Sequence, residues 1–571
     1  MIINGYKIKY SEEELKNKLI NQKREIHLLN KNSSAYQNLS NEDKKVVDHL
    51  VNAAKIMNDV MLEQYHPLNL IMKQALEYQA PGNEYLSNVL NLFNTINGIT
   101  AHNSLEKHPV EIFEGITPLK GCNFYPIDLT EEEFHQILLS MLNSGKINEV
   151  NNILNARTMV RRKNNELVAI DFTEYFQDEF SEIANELECA AHYSTDSLFK
   201  EYLQWQAQAL IQNNPDMDLL ADKHWAKMQN STIEFTISRE NYEDEMTPSV
   251  YSNKELLNKL TEYKITPVSK DLLGVRVGIV NKHGTDLLLR FKSEMGKLAN
   301  LMPFCDQYEQ SLSEEKNKQN MVDADIIYFS GDYLKNCGAI TIAQNLPNND
   351  KLSVIKGNGR RNVYHRQIRE SIDNEKISKI LNKLIHPEFH QYFDNNAEHI
   401  FTIGHENGHS LGPNAQYQTA LGKYQHIIEE HKANIISATM MPEYVKNGTI
   451  TEYDLKKIYA SWVINSHLLT IFPQENSAHR VADLIEYNYL TKLKAIYFDE
   501  NNLLHINFEI MPQACKKILE DIIKVQLSKS PQYAKEYIDK WTEWSEMSKY
   551  VADFKQNLGI KPYIDVITYF D

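Results

Sequence analysis

The stretch HENGHSLGP (405–413), followed by IIEEHKANIISATMM (427–441), decides how this chain is read. On a helix, positions i and i+4 lie one above the other. His405 and His409 therefore present two imidazoles to one ion, with Glu406 between them. The second stretch opens on Glu429 and Glu430 and continues with Ile428, Ile435, Ile436, Ala438 and Met440 on a buried helix. Acids at a helix start are ordinarily solvated and favoured by the dipole; buried, they need a cation or another partner. One Glu of the pair as third ligand leaves a fourth tetrahedral position open, the layout of a catalytic zinc site. The other Glu is then free to orient a histidine N–H or hold a water. Asn434, four residues after Glu430, can accept a ligand histidine's distal N–H through its carbonyl, without the charge a carboxylate would bring. His399, His426 and His431 are nearby alternatives and read as core or surface histidines.

Working outward, 390–411 reads as one helix stopped by Gly412-Pro413. Helices are expected from about 375 to 445 with a stop at Pro442, over 452–472 and 477–495, and through much of 510–558. Upstream, Val46, Val47, Leu50, Val51, Ala54 and Met57 repeat at helical spacing within 41–80. Residues 81–130 carry Pro and Gly punctuation and read as loops with short helices. Helices return over 130–156 and 176–228, with Leu198, Tyr202, Trp205, Ala209 and Leu210 as one buried stripe. STIEFTIS (231–238), LLGVRVGIV (272–280) and AITIAQNLP (339–347) are β-branched runs bounded by turn residues, as strands should be. Residues 1–40 are polar and lysine-rich and read as a peripheral arm. The expected class is mainly α with a smaller β element.

The 571 residues suffice for two or more lobes. A net charge of −17 argues against a nucleic-acid surface. Cys122, Cys189, Cys305, Cys337 and Cys515 are far apart and form no CxxC pair, which disfavours both a disulfide framework and a thiolate zinc site. No apolar leader follows the N-terminus and no apolar run reaches membrane-spanning length, so a cytoplasmic chain without membrane contact is expected.

HENGHSLGP followed by EEHKAN resembles the dipeptidyl-peptidase III family of zinc peptidases, whose pattern is a His–Glu–His helix followed by E-E-x-[RK]-A-[DE]. Many members have HExxGH; the five-residue form here is similar to a divergent, zinc-hydrolase-like branch sometimes fused to a Nudix domain, and no Nudix signature is visible in this sequence. Glu240-Asn241-Tyr242-Glu243-Asp244 resembles the family's E-x-Y-x-D, with Glu243 where many members have arginine. Asn345-Leu346-Pro347-Asn348 resembles its N-[IL]-P-N, and Ser477-Ala478-His479 a segment whose histidine stabilises the transition state. The resemblance spans roughly 41–540. It implies that Glu240, Asn345 and Asn348 bind the free amino terminus of a short peptide and that Tyr242 hydrogen-bonds the tetrahedral intermediate. It also implies two lobes across a wide cleft, a helical zinc lobe and a mixed lobe with a small β-barrel. The expected division is 1–260 mixed lobe, 261–335 crossing into the zinc lobe, 336–372 returning, 373–550 zinc lobe and 551–571 a C-terminal segment, in a monomer.

The chemistry follows from the residue types. Zinc on His405, His409 and Glu430 polarises a carbonyl and lowers the pKa of its water, to about 7 in favourable sites. Glu406 takes that proton and passes it to the leaving amine. Zinc, Tyr242 and His479 stabilise the oxyanion, each donor worth a few kcal/mol. Alone, Tyr242, Glu240 and His479 would read as ordinary surface or helix residues, and Asn345 and Asn348 as turn chemistry. The expected activity is removal of dipeptides from peptide N-termini; the alternatives are hydrolysis of another amide at the same site, or peptide binding without chemistry.

Overall fold

The computed structural model describes residues 1–102, 109–164, 166–212, 215–240, 243–312, 320–335, 343–346, 361–365, 367–368, 374–468, 478–558 and 563–570. The chain forms two compact units, Met1–Val280 with Ala324–Arg361 and Lys561–Asp571, and Asn281–Asp323 with Asn362–Ile560. The excursion into the second unit is thus shorter than 261–335, and the last residues return to the first unit. The architecture is helical with a smaller β element, as the sequence implies. Among the described residues no helix is long and apolar enough to cross a membrane. Cys122, Cys189, Cys305 and Cys515 are free thiols; Cys337 lies outside the described residues.

In the first unit, Ser40 caps the helix Asn41–Tyr65 by accepting from Asp43 N, and Glu42 and Asp43 occupy the positive first turn. Its expected apolar stripe is buried and packs on the helix Gln177–Tyr193. The next helix, Ser197–Gln212, buries Phe199, Tyr202, Leu203, Ala207, Ala209 and Leu210, while Leu198 is exposed and Trp205 half-buried. The apolar face is therefore rotated from the expected stripe. Residues 81–130 contain a full helix, Glu84–Ile96, started by Asn83 and ended by Asn97 in the left-handed region.

The β element is a five-stranded sheet ordered Ala343–Leu346, Arg361–Tyr364, Asn320–Gly331, Leu272–Asn281, Ile233–Glu240. The last two pair antiparallel, with Glu240 opposite Leu272. Inside this unit Glu234 is fully buried and ion-paired to Arg276 and Arg361, which are equally buried. Residues 1–40 are not an arm. Lys23–His27 is a strand paired in parallel with Tyr563–Ile567, and Ile26 and Leu28 are buried. Only a partner more than five hundred residues away makes this polar segment a strand, which local pattern cannot reveal.

The second unit is a helical cluster. Its centre is the helix Asn395–Gly408 (the histidine helix) packed on Gln425–Lys446 (the acid helix), with Glu452–Trp462, Ala478–Lys492 and Met511–Ser528 around them. The histidine helix is shorter than 390–411: a 3-10 turn, Pro387–Tyr392, precedes it, and Asp394 caps its start. Ser461 Oγ accepts from the Asp394 N–H and donates to the Asp394 carbonyl, both at 3.0 Å, and Lys457 Nζ reaches the Asp394 carboxylate at 2.7 Å. Pro442 does not stop the acid helix, which runs on to Lys446. Proline removes the N–H that would pair with Ala438 O; Tyr459 Oη donates to that carbonyl instead, at 3.1 Å. The helix expected over 452–472 ends at Trp462 and continues as a π-helical turn, Val463–Leu468.

Candidate metal centre

Two glycines set the approach of the helices that carry the site. A Cβ on Gly404 would fall 2.3 Å from Ser437 Oγ, and one on Gly408 would fall 2.8 Å from Ala433 O. The histidine and acid helices therefore touch almost backbone to backbone, which brings short side chains from both onto one point. His409 is the C-cap of its helix but keeps right-handed helical dihedrals, so its ring still lies one turn above His405, edge to face at a centroid separation of 4.7 Å.

His405, His409 and Glu430 each offer one ligand atom, and these atoms lie within 4.8 Å of one another. The two Nε2 atoms are 3.2 Å apart. Glu430 Oε2 is 3.4 Å from His405 Nε2 and 3.7 Å from His409 Nε2. Ligands about 2.0–2.1 Å from a tetrahedral ion stand about 3.3–3.4 Å from each other, so the triangle has the right edge lengths. The tautomers agree. His405 Nδ1 faces Asn434 Oδ1 at 2.7 Å and His409 Nδ1 faces Glu429 Oε1 at 3.0 Å. Each acceptor draws the ring proton to Nδ1 and leaves a lone pair on Nε2. The two Nε2 atoms and the Glu430 oxygen thus converge on one point, and that oxygen also lies 3.1 Å from His479 Nδ1. A positive charge between its members stabilises such an arrangement, whether a proton on His409 or a metal ion, and its N2O donor set suits zinc.

The surroundings tune these groups. Burial, then His409, pushes His405 down to about 3. Burial also opposes charge on His409, but the Glu429 hydrogen bond and the charge of Glu430 outweigh it and lift the ring to about 9. Against its own burial, Glu430 is held down at about 2 by His479, His409 and His405. This concentrated negative field is what a divalent ion would take up. Burial raises Glu406, the direction a general base working near neutrality needs. His479, mostly exposed, stands with Nδ1 3.1 Å from Glu430 Oε2, which raises its pKa.

Of the residues singled out in the sequence, His405, His409, Glu429, Glu430, Asn434 and His479 come together with Glu406 beside them. Glu240 and Glu243 belong to the first unit, Glu240 half-buried at its strand end. Tyr242, Asn348 and the side chain of Asn345 lie outside the described residues. His399 and His431 are buried and His426 is exposed, in keeping with core and surface roles.

The residue missed is Glu486. Fully buried, it accepts from Asn434 Nδ2 at 3.1 Å, from His431 Nδ1 at 3.0 Å and from His467 Nε2 at 3.1 Å. Asn434 thus links His405 to a buried acid through the two atoms of its amide. Burial, then Asp483, pushes the Glu486 carboxyl up, and the Asn434 amide opposes them. The sequence did hold a signal: an acid set among Ala482, Ile485, Tyr487 and Leu490 on a buried helix.

No family model matches the sequence. The chain is 22% identical over 540 residues to a protein named Nudix hydrolase 3 from Arabidopsis thaliana, covering 86% of this chain and 66%, just under two thirds, of that protein. Among solved structures it is similar to dipeptidyl-peptidase III from Caldithrix abyssi, with a TM-score of 0.78, 23% identity and 97% and 98% of the two chains covered. It is also similar to dipeptidyl-peptidase III from Corallococcus sp. strain EGB, with a TM-score of 0.70, 19% identity and 97% and 96% covered. At these identities the likeness establishes the fold.

Proposed function

From that shared fold and the three converging ligand atoms, we propose that the protein is a zinc-dependent exopeptidase that acts near the N-terminus of short peptides and releases dipeptides. The observation that carries the reading is the convergence of His405 Nε2, His409 Nε2 and Glu430 Oε2, each within ligand-atom distance of the others. When bound there, zinc would lower the pKa of its water to about 7 and polarise the scissile carbonyl. Glu406, its carboxyl raised by burial, takes the water's proton and returns it to the leaving amine. His479 and Tyr242 donate to the developing oxyanion. Glu240, Asn345 and Asn348 bind the substrate's ammonium as charge-matched acceptors and so measure the distance from the free end. The Glu406→Gln chain should keep its zinc and lose hydrolysis of a dipeptidyl-arylamide by ~10²–10⁴-fold. Full activity in that variant would remove the mechanism.

A second reading keeps the metal site and changes the substrate to another amide. It is favoured by Glu243, an acid where the family the sequence resembles commonly has arginine. Acetylating the peptide's amino group separates the two: the exopeptidase reading expects cleavage to collapse, the second expects it unchanged.

A further inference from the structure

A second cluster of metal-ligand type lies in the same unit and shares no residue with the first: His386, Glu388 and His505, whose ligand atoms also fall within 4.8 Å of one another. Its backbone frame is tight. Ile385 bridges Leu504, and His386 N donates to Leu504 O at 3.0 Å, fixing the start of the 3-10 turn Pro387–Tyr392 against the hairpin Ile496–Phe498/Leu504–Ile506. That register stacks the His386 and His505 rings 4.3 Å apart, and Tyr497 covers the hairpin's histidine with a centroid separation of 5.0 Å.

The protonation pattern is that of a ligand set. His505 Nε2 lies 3.2 Å from Asp499 Oδ2. Asp499 is held in place by the N–H groups of Asn501 and Leu503, at 2.8 and 2.9 Å. A carboxylate there draws the ring proton to Nε2 and turns the Nδ1 lone pair inward, as carboxylates behind metal-binding histidines do. Inward, that Nδ1 meets Glu388 Oε1 at 3.6 Å, and His386 Nδ1 meets the same oxygen at 3.8 Å. His386 Nδ1 is buried and makes no hydrogen bond, although its side chain as a whole is one-third exposed. The two separations from Glu388 exceed the edge of a tetrahedral site by only a few tenths of an ångström, and Glu388, more than half exposed, has room to close them. Glu388 also lines a cavity of about 460 Å³ beside the cluster, which leaves open space for water or a small ligand.

We propose that His386, Glu388 and His505 bind a second divalent transition-metal ion, of the zinc class by their N2O donor set, which cross-links the 496–506 hairpin to the segment that precedes the histidine helix. Zinc is the probe. Protein loaded with zinc and freed of excess metal should carry about two equivalents per chain. Glu388→Gln should carry about one and retain its arylamidase activity, and His409→Ala should carry about one with activity lost. In the His409→Ala background, zinc should still raise the melting temperature; in His409→Ala/Glu388→Gln it should not. Circular dichroism matching the parent chain excludes misfolding as the cause of a lost equivalent. A His409→Ala chain that folds and takes up no zinc overturns the second site. So does a Glu388→Gln chain whose stoichiometry equals the parent's. Either result leaves the first site standing, because that site is read separately through His409.

Discussion

At the scale of single residues, the departure that looked weakest in the sequence becomes intelligible. Asn434 is neutral where a carboxylate would commonly stand behind a ligand histidine. Its carbonyl takes the His405 Nδ1 proton at 2.7 Å while its amide donates to the buried Glu486. A second carboxylate in its place would face Glu486 across hydrogen-bonding distance in a buried site, a costly like-charge pair. Asn434→Ala removes the link and should weaken zinc binding by ~10–100-fold, measured by competition with a chromophoric chelator. Glu486→Gln should produce a smaller loss, since the amide relay remains. His405 and His409 were readable because their spacing is a helical period, and Glu406 and Glu430 because they stand between them and at the start of the next apolar helix. Glu486 was not, because its role comes from three donors on two other elements converging on it: His431 and Asn434 from the acid helix and His467 from the π-helical turn.

At the scale of elements, proline and glycine were read by their local habits, and tertiary packing changed the outcome. Pro442 continues its helix because Tyr459 satisfies the carbonyl that the proline leaves open. Tyr459→Phe should therefore cost about 1–3 kcal/mol of unfolding free energy, the penalty for a buried unsatisfied carbonyl. In a Pro442→Ala background the restored N–H can pair with Ala438 O, and most of that cost should vanish. Denaturant melts of the two single variants and the double variant measure the coupling; additive effects would show that the tyrosine acts only by packing. Gly408, a poor helix former, is kept inside the histidine helix by a close approach. Its missing Cβ is what lets the histidine helix rest on Ala433 of the acid helix.

At the scale of the whole molecule, the acid-sensitive groups sit in the core behind the candidate metal centre. Burial pushes His431 down to about 3, with His467 adding to the effect, and burial alone does the same to His467. In the unfolded chain each takes up a proton near the ordinary value of 6.5. Between those values the unfolded state binds more protons than the folded one, so stability falls as pH drops from about 6.5 toward about 3. Each ring contributes up to roughly 1.4 kcal/mol per pH unit over that window. Urea midpoints at successive pH values should show the decline in metal-free protein, and His467→Gln should make it shallower; an unchanged slope would mean that this ring does not remain neutral in the fold.

The sequence by itself determined the helical class, the spacing that sets His409 one turn above His405 and the runs STIEFTIS and LLGVRVGIV that become strands, because each depends on periodicities of two or between three and four residues that a short window contains. Only the tertiary structure decided that Lys23–His27 is a strand, that Glu486 stands behind Asn434, and that His386 meets His505 across a hairpin. Each of these joins segments distant in the chain, and whether a polar group there is solvated, paired or poised for an ion depends on what the fold brings to its other side.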